Sequence, residues 1–167
     1  MNNIKHNNTP KDIDEVLLNK IDIKAGNCSF GQYIGLKKLI RSTTDEVKIV
    51  EGLFKELHNY NIKPSEYLKA IPYINEISDA LQYWQEQENA LLNYEPTQEE
   101  KNAGIEQLSK NIGELATIKA LAKDYSQDPD YILENWKWGK VFGILYSDLE
   151  TYKYQERYRK ACEKKYK

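Results

Sequence analysis

The chain has few of the residues that most often build reactive or metal-binding sites. Its 167 residues include two cysteines, two histidines and one methionine. Cys28 and Cys162 lie near opposite ends of the sequence, and neither has a neighbour at the spacing of a metal-ligand pair. The two thiols therefore indicate a reducing compartment and not a disulfide framework. His6 lies in a polar N-terminal stretch, and we expect His58 at the surface near a helix C-terminus.

Long apolar runs are also missing. No stretch approaches the roughly 20 apolar residues that a membrane-spanning helix needs, and residues 1–11 lack the apolar centre of a signal peptide. We therefore expect a soluble cytoplasmic protein without a membrane partner. The net charge of −2 excludes a generally basic nucleic-acid binder.

Sequence motifs of catalysis are absent as well. The chain has neither a Gly-rich phosphate loop nor a dinucleotide-binding fingerprint. Asp124–Asp130 alternates oxygen-bearing side chains as a calcium-binding EF-hand loop does, but Pro129 and Asn135 occupy the positions that require Gly and Glu. We expect no catalytic residues, no metal site and no cofactor, and hence a protein that is not an enzyme.

Helical signals dominate the rest of the chain. We predict an all-α fold, a small bundle of about five to six helices that follows a disordered arm at residues 1–11. One short strand is predicted over Lys20–Lys24, where apolar and polar residues alternate. Capping residues and apolar periodicity predict helices from Phe30 to Ile40, after Thr43, after Pro72, after Thr97, after Asp128–Pro129, and from about Lys137 to the end.

The expected core consists of apolar residues that repeat at helical spacing. They are Val47, Val50, Phe54 and Leu57, then Ile74, Ile77, Leu81, Trp84 and Leu91, then Ile105, Leu108, Ile112, Leu115 and Ala122, and finally Val141, Leu145, Leu149 and Tyr152.

Tyr94–Thr97 is the clearest break between helical segments. It divides the chain into an N-terminal helical domain, residues 12–94, and a C-terminal helical unit, residues 95–167, which ends in a basic tail. We expect the two halves to be loosely divided.

Charge is distributed unevenly along the chain. Residues 70–100 contain seven acidic residues and no Lys or Arg, whereas residues 153–167 contain seven basic residues and two acidic ones. One interpretation is a pair of solvated helix faces. The other is that the two segments attract each other, within one molecule or between copies of a homo-oligomer.

The segment Asp130–Phe142 is the richest in aromatic residues. Two tryptophans two residues apart cannot face the same way on one helix, so we expect one in the core and the other at its edge or exposed, with burial of both as the alternative. An exposed aromatic residue would anchor a partner, and the tyrosines and basic residues of the tail form a mixture that also binds nucleic acid. The candidate partner-binding residues are Tyr131, Trp136, Trp138, Phe142, Tyr154, Arg157 and Tyr158.

Two stretches together resemble a known family. The first is Cys28–Leu36 with the helix Val47–Phe54, and the second is Leu115–Tyr125 followed by Asp128–Leu133 and Trp136–Trp138. This order resembles the tail assembly chaperones of long-tailed bacteriophages and prophages. In that family an N-terminal helical domain often begins with a similar Phe-Gly-Gln-Tyr-Ile entry, and a C-terminal unit restarts at Pro-Asp before an aromatic-rich helix.

The resemblance implies a non-catalytic role in the host cell cytoplasm. Such chaperones coat the tape measure protein until tail-tube subunits assemble around it. The implied partners are the tape measure protein or other copies of the chain for the N-terminal half, and the tail-tube protein for the Tyr131–Phe142 unit and the basic tail. Two other functions stay open: a virion protein of the neck or head–tail connector, and a nucleic-acid-binding regulator that uses the basic tail.

Overall fold

The computed structural model describes residues 10–165, apart from the side chains at positions 106, 108–112, 164 and 165. Helices make up 76% of the structure, and no strand occurs within the described range. The predicted all-α class is therefore confirmed. The prediction for the arm at residues 1–11 falls almost entirely outside the described residues.

The number of helices exceeds the five to six expected from the sequence. Over residues 10–165 there are eight α-helices and one short 3-10 turn. They are α1 (Ile13–Leu18), α2 (Phe30–Ser42), α3 (Glu46–His58), the 3-10 turn (Pro64–Glu66), α4 (Tyr67–Leu91), α5 (Gln98–Asn102), α6 (Ile105–Asp124), α7 (Pro129–Asn135) and α8 (Trp138–Lys165).

Helix α1 was not expected, although a local signal precedes it. The Asp12 side chain accepts a hydrogen bond from the backbone N–H of Glu15, and the Glu15 carboxylate accepts one from the N–H of Lys11. These reciprocal bonds satisfy free N–H groups at the helix start. Ile13 and Val16 are buried and attach the helix to the core.

The predicted strand at Lys20–Lys24 is wrong. The chain turns there instead, with the N–H of Gly26 bonded to the carbonyl of Ile23 and the N–H of Ala25 bonded to the Asp22 carboxylate. The alternation reflects one buried side chain, Ile23, at a turn. No neighbouring strand in the described range is available to complete a sheet.

Helices α2 and α3 pack against each other. The predicted capping box at Ser29 and Gln32 is present at the start of α2. Helix α3, however, is capped by the Asp45 carboxylate and not by Thr43, whose hydroxyl accepts the N–H of Asp45. The helix therefore begins at Glu46, and Val47 in its first turn is exposed, contrary to expectation.

Helix α4 begins before Pro72, not after it. Proline inside a helix removes one hydrogen bond and costs about 3 kcal/mol. Ala70 and Tyr73 on either side of Pro72 are fully buried, and their packing offsets that cost. The predicted inward residues Ile77, Leu81 and Trp84 further along the helix are buried as expected.

The segment after Tyr94–Thr97 forms two helices where one was expected. Thr97 and Glu100 make the predicted capping box, but α5 ends after five residues, and Gly104 enters the left-handed region with φ 86° before α6 begins. Among the described side chains of α6, Ile118 and Leu121 are buried, whereas Leu115, which was predicted to face inward, is 50% exposed. The predicted inward residues Leu108 and Ile112 fall outside the described side chains.

Both sides of the Tyr94–Thr97 break contribute to one buried cluster. Leu36, Phe54 and Tyr73 from the first half pack in the same cluster as Ile132 and Val141 from the second. Only the first turns of α8 contribute to the core. Tyr152 was predicted to face inward, but it is 40% exposed. In the described part of the chain, no helix combines the length and the apolar character required to cross a membrane.

Candidate functional site

The two halves of the chain are joined by a short backbone ladder. The N–H of Phe30 donates to the carbonyl of Trp136 (2.8 Å), and the N–H of Trp138 donates to the carbonyl of Cys28 (2.9 Å). A third bond runs from the N–H of Gly139 to the carbonyl of Gly26 (3.1 Å). The start of α2 and the start of α8 are therefore fixed against each other, and this joint positions the side chains described below.

Both tryptophans of the aromatic segment are buried, Trp136 at 7% and Trp138 at 3% exposure. The expectation that one would lie at the edge assumed a single helix across them. Trp136 instead ends α7 with extended backbone (φ −82°, ψ 131°), and side chains two residues apart in extended backbone point to the same side. The alternative, burial of both, is confirmed.

Trp138 lies at the centre of an aromatic cluster. Its ring stacks on Tyr33 with centroids 4.0 Å apart and lies 5.8 Å from Phe30. Trp84 and Phe142 contact it edge-on. The indole N–H of Trp84 donates to the carbonyl of Ile23 (2.7 Å), whereas that of Trp138 is buried without a hydrogen-bond partner among the described residues.

A glycine permits the close approach at this joint. Gly26 has φ 73°, and a Cβ atom on it would lie 2.6 Å from the Cα of Gly139. A side chain at this position would therefore force the backbone ladder apart.

An open groove of about 510 Å³ borders the cluster, between α2, the end of α4, α6 and the first turns of α8. Its lining combines aromatic and aliphatic side chains with polar and charged ones. The lining residues are Phe30, Tyr33, Ile34, Lys37, Glu88, Asn89, Leu92, Asn93, Glu114, Thr117, Trp138 and Leu145.

The charges in the groove wall neutralise each other. The ammonium of Lys37 lies 2.7 Å from the carboxylate of Glu88, and the Tyr33 hydroxyl donates to the same carboxylate at 2.8 Å. Burial, and secondarily the bond to Glu88, raises the pKa of Tyr33 well above its usual range, so the phenol stays protonated. The groove wall therefore carries a half-buried ion pair beside apolar side chains, and neither of its charged groups is free to react.

The exposed candidates lie elsewhere on the surface. Tyr131 on α7 is 49% exposed, and Tyr154 and Tyr158 on α8 are 61% and 63% exposed. The rings of Tyr154 and Tyr158 stack one helical turn apart with centroids separated by 6.3 Å, and Arg157 is exposed beside them. The structure thus brings Trp136, Trp138 and Phe142 to the core and its edge, groups Tyr154, Arg157 and Tyr158 on α8, and leaves Tyr131 on its own.

His58 is not at the surface as predicted. It is half-buried, and its Nε2 lies 2.9 Å from the hydroxyl of Tyr73. That hydroxyl also accepts the N–H of Ile21 (3.0 Å). Burial lowers the pKa of His58 to about 4, and the imidazole is neutral at pH 7.

The remaining reactive side chains are not arranged for chemistry in the described region. Burial raises the pKa of the Cys28 thiol to about 11, which keeps it protonated and unreactive. Among the residues that the structure describes, no group of three or more His, Cys, Asp or Glu side chains is placed to hold a metal ion.

Sequence reasoning missed the groove. Lys37 and Glu88 are far apart in the chain, and their pairing depends on how α2 and α4 pack. The one local signal is the spacing of Tyr33 and Lys37, which lie one turn apart on the same helix face. The groove is thus the candidate binding site, with the α8 tyrosines as a second exposed surface.

Comparison with known proteins adds no relative: the chain matches no family model, no curated protein and no solved structure at a significant level.

Proposed function

We propose that this protein is a non-catalytic binding protein whose groove holds an amphipathic helix of a partner, and that it acts as a tail assembly chaperone for a phage tape measure protein. The observation that carries the binding role is the groove itself. Its volume of about 510 Å³ lies within the range of roughly 300–1,000 Å³ of ligand-binding clefts.

The lining of the groove suits a helix with one apolar stripe. Leu92 and Leu145 are partly exposed and supply apolar surface above the buried rings of Phe30 and Trp138. Asn89 on the last turn of α4 and Asn93 just after the helix are exposed beside them. An amphipathic helix presents apolar side chains at i, i+3, i+4 and i+7 with polar side chains beside them. Such a helix would place its apolar residues on that apolar surface and its polar ones against the asparagines.

The expected affinity suits a chaperone that must later be displaced. Each large apolar side chain that enters the groove contributes about 1.5–3 kcal/mol, and association itself costs at least about 4 kcal/mol. A groove that accepts only a few side chains therefore binds weakly on its own. Many copies on one long partner would hold it collectively.

The identity of the partner rests on the resemblance to tail assembly chaperones carried by Cys28–Leu36 and Asp128–Leu133. Cys28–Leu36 meets Trp136–Trp138, the last part of the second stretch, at the joint beside the groove, since Phe30 and Trp136 share a backbone hydrogen bond there. Recruitment of tail-tube subunits, the second task of such a chaperone, is assigned to exposed aromatic residues outside the groove, of which Tyr131 is nearest to the joint in sequence.

The proposal is tested by capture of the tagged protein from its native genetic background before host lysis, with identification of bound proteins by mass spectrometry. Asn89→Trp fills the groove from its exposed side, and Asn75→Trp places the same side chain on an exposed position of α4 outside it. We expect a long helical tape measure protein with the wild type and with Asn75→Trp, and about tenfold less with Asn89→Trp.

Equal recovery with both variants would show that the groove is not the binding site. Recovery of portal or connector proteins, with the tagged chain retained in finished particles, would replace the chaperone role by a structural one. Recovery of nucleic acid alone would favour the regulator.

A further inference from the structure

The charge imbalance of this chain is confined to two segments. Residues 70–100 carry seven acidic and no basic residues, and residues 153–167 carry seven basic and two acidic ones. The rest of the chain has 17 basic and 17 acidic residues. The protein is therefore a neutral body with one acidic and one basic surface segment.

Up to Lys165 the basic segment forms the distal part of α8. Just before it, Tyr152 packs on Tyr94 of the body with ring centroids 5.7 Å apart. No residue after Leu145 belongs to the core cluster or packs against it among the described side chains. From Ser147 to Lys165 the helix extends by about 28 Å at 1.5 Å per residue. Most helical stability in proteins comes from packing of one face, so a partner that covers one face would stabilise this segment.

The exposed face of this segment combines aromatic and basic side chains. Tyr154 and Tyr158 are more than 60% exposed, and the ion pairs found on the segment are internal to α8, where Arg159 binds Glu156 and Glu163. Arg157 and Lys160 are exposed and have no carboxylate within ion-pair distance among the described residues. This face is suited to an acidic partner surface with room for two aromatic rings.

The acidic segment is only partly neutralised within the molecule. Glu76 pairs with Lys20, and Glu88 pairs with Lys37. Asp79 and Glu86 lie two turns apart on α4, both are exposed, and neither has an ion pair with a described residue. No described ion pair joins the α8 segment to residues 70–100 of the same molecule.

We infer that copies of this protein associate head-to-tail, with two neighbouring stripes of α8 on one copy, Tyr154 with Tyr158 and Arg157 with Lys160, docked against the Asp79–Glu86 face of α4 on the next. Charge complementarity selects this occupant. A symmetric pairing of two α8 faces would bring like charges together, which is unfavourable. A contact between two different surfaces leaves one of each free and generates a ring or a filament. The inference stands on the charge distribution and does not depend on the identity of the partner proposed above.

The test uses the full chain and two charge-reversal variants, with mass measured by sedimentation velocity at about 0.05 M and about 0.5 M salt, because salt screens surface charges. One variant carries Arg157→Glu and Lys160→Glu, and the other carries Asp79→Lys and Glu86→Lys. All four positions are exposed, so circular dichroism and the melting temperature serve as controls for folding. A third variant, Tyr154→Ala with Tyr158→Ala, removes the aromatic part of the face and leaves its charge.

We expect the wild type to form oligomers at low salt and to dissociate at high salt. Each charge-reversal variant alone should associate about tenfold more weakly, since it replaces attraction between the two faces by repulsion between like charges. An equimolar mixture of the two variants should associate again. The tyrosine variant should also be weaker. A monomeric wild type at low salt, or association that charge reversal leaves unchanged, would overturn the inference. A tail that binds only nucleic acid, with no self-association, would do so too.

Discussion

The same substitution at two buried tryptophans should have different effects, because only one indole is hydrogen-bonded. Trp84 donates to the carbonyl of Ile23 at 2.7 Å, whereas the N–H of Trp138 has no hydrogen-bond partner in the part of the chain that the structure describes. Both side chains are almost completely buried, at 8% and 3% exposure. Phenylalanine removes the N–H in each case and leaves a smaller aromatic ring.

The magnitudes follow from these contacts. Both substitutions lose ring volume, at a cost of about 1–3 kcal/mol. At Trp84 the lost hydrogen bond adds about 1 kcal/mol. At Trp138 the loss of an unsatisfied buried donor gives back about 1–3 kcal/mol. Trp84→Phe should therefore destabilise the protein by about 2–4 kcal/mol, and Trp138→Phe should be close to neutral.

The assay is urea unfolding followed by circular dichroism, since tryptophan fluorescence changes with the substitutions themselves. The midpoint should fall for Trp84→Phe and hardly move for Trp138→Phe, with an unchanged m-value. Trp138→Ala removes the same N–H together with the ring, and it serves as the control: it should cost about 2 kcal/mol more than Trp138→Phe, because of the larger cavity. If Trp138→Phe destabilises as much as Trp84→Phe, the indole of Trp138 has a partner and the reasoning is refuted.

Three further predictions concern the joint, the buried histidine and the thiols. Gly26→Ala should lower the free energy of unfolding by more than about 2 kcal/mol, because φ is 73° and the new methyl group meets the backbone of Gly139. Gly143 has open space around it, so Gly143→Ala should instead stabilise α8 by about 0.5–1 kcal/mol. Urea unfolding measures both changes. The folded-state pKa of His58 is about 4, below its usual value, so the unfolded chain binds more protons between about pH 6.5 and 4. Stability should be complete above that window and fall by about 2 kcal/mol by pH 5, and His58→Gln should flatten this dependence; an equally steep dependence in that variant would assign it to other groups. Cys28 should resist alkylation in the folded protein while the half-exposed Cys162 reacts, as peptide mapping would show; modification of Cys28 first would contradict its burial.

The parts of the fold that the sequence predicted are those specified within one helical turn. Ser29 with Gln32 and Thr97 with Glu100 form their capping boxes, since each depends on residues three positions apart. Asp128 with Pro129 likewise starts α7 as expected. Asp12 with Glu15 is the same kind of local signal and was overlooked.

The errors come from contacts between distant segments. The burial of both Trp136 and Trp138 depends on extended backbone that bonds to Cys28 and Phe30, which periodicity within one segment does not reveal. His58 is buried by a contact with Tyr73 across the packing of α3 and α4. The groove has no sequence signature because four helices enclose it.

The most direct measurement for the proposed function is site-specific photo-crosslinking from within the groove. A photoreactive amino acid at position 89 faces the groove, and the same residue at position 75 lies on an exposed part of α4 outside it. Irradiation in the native genetic background before lysis should give a covalent adduct to a long helical tape measure protein from position 89 and not from position 75. An adduct to a portal or connector protein, or none at either position, would contradict the chaperone account.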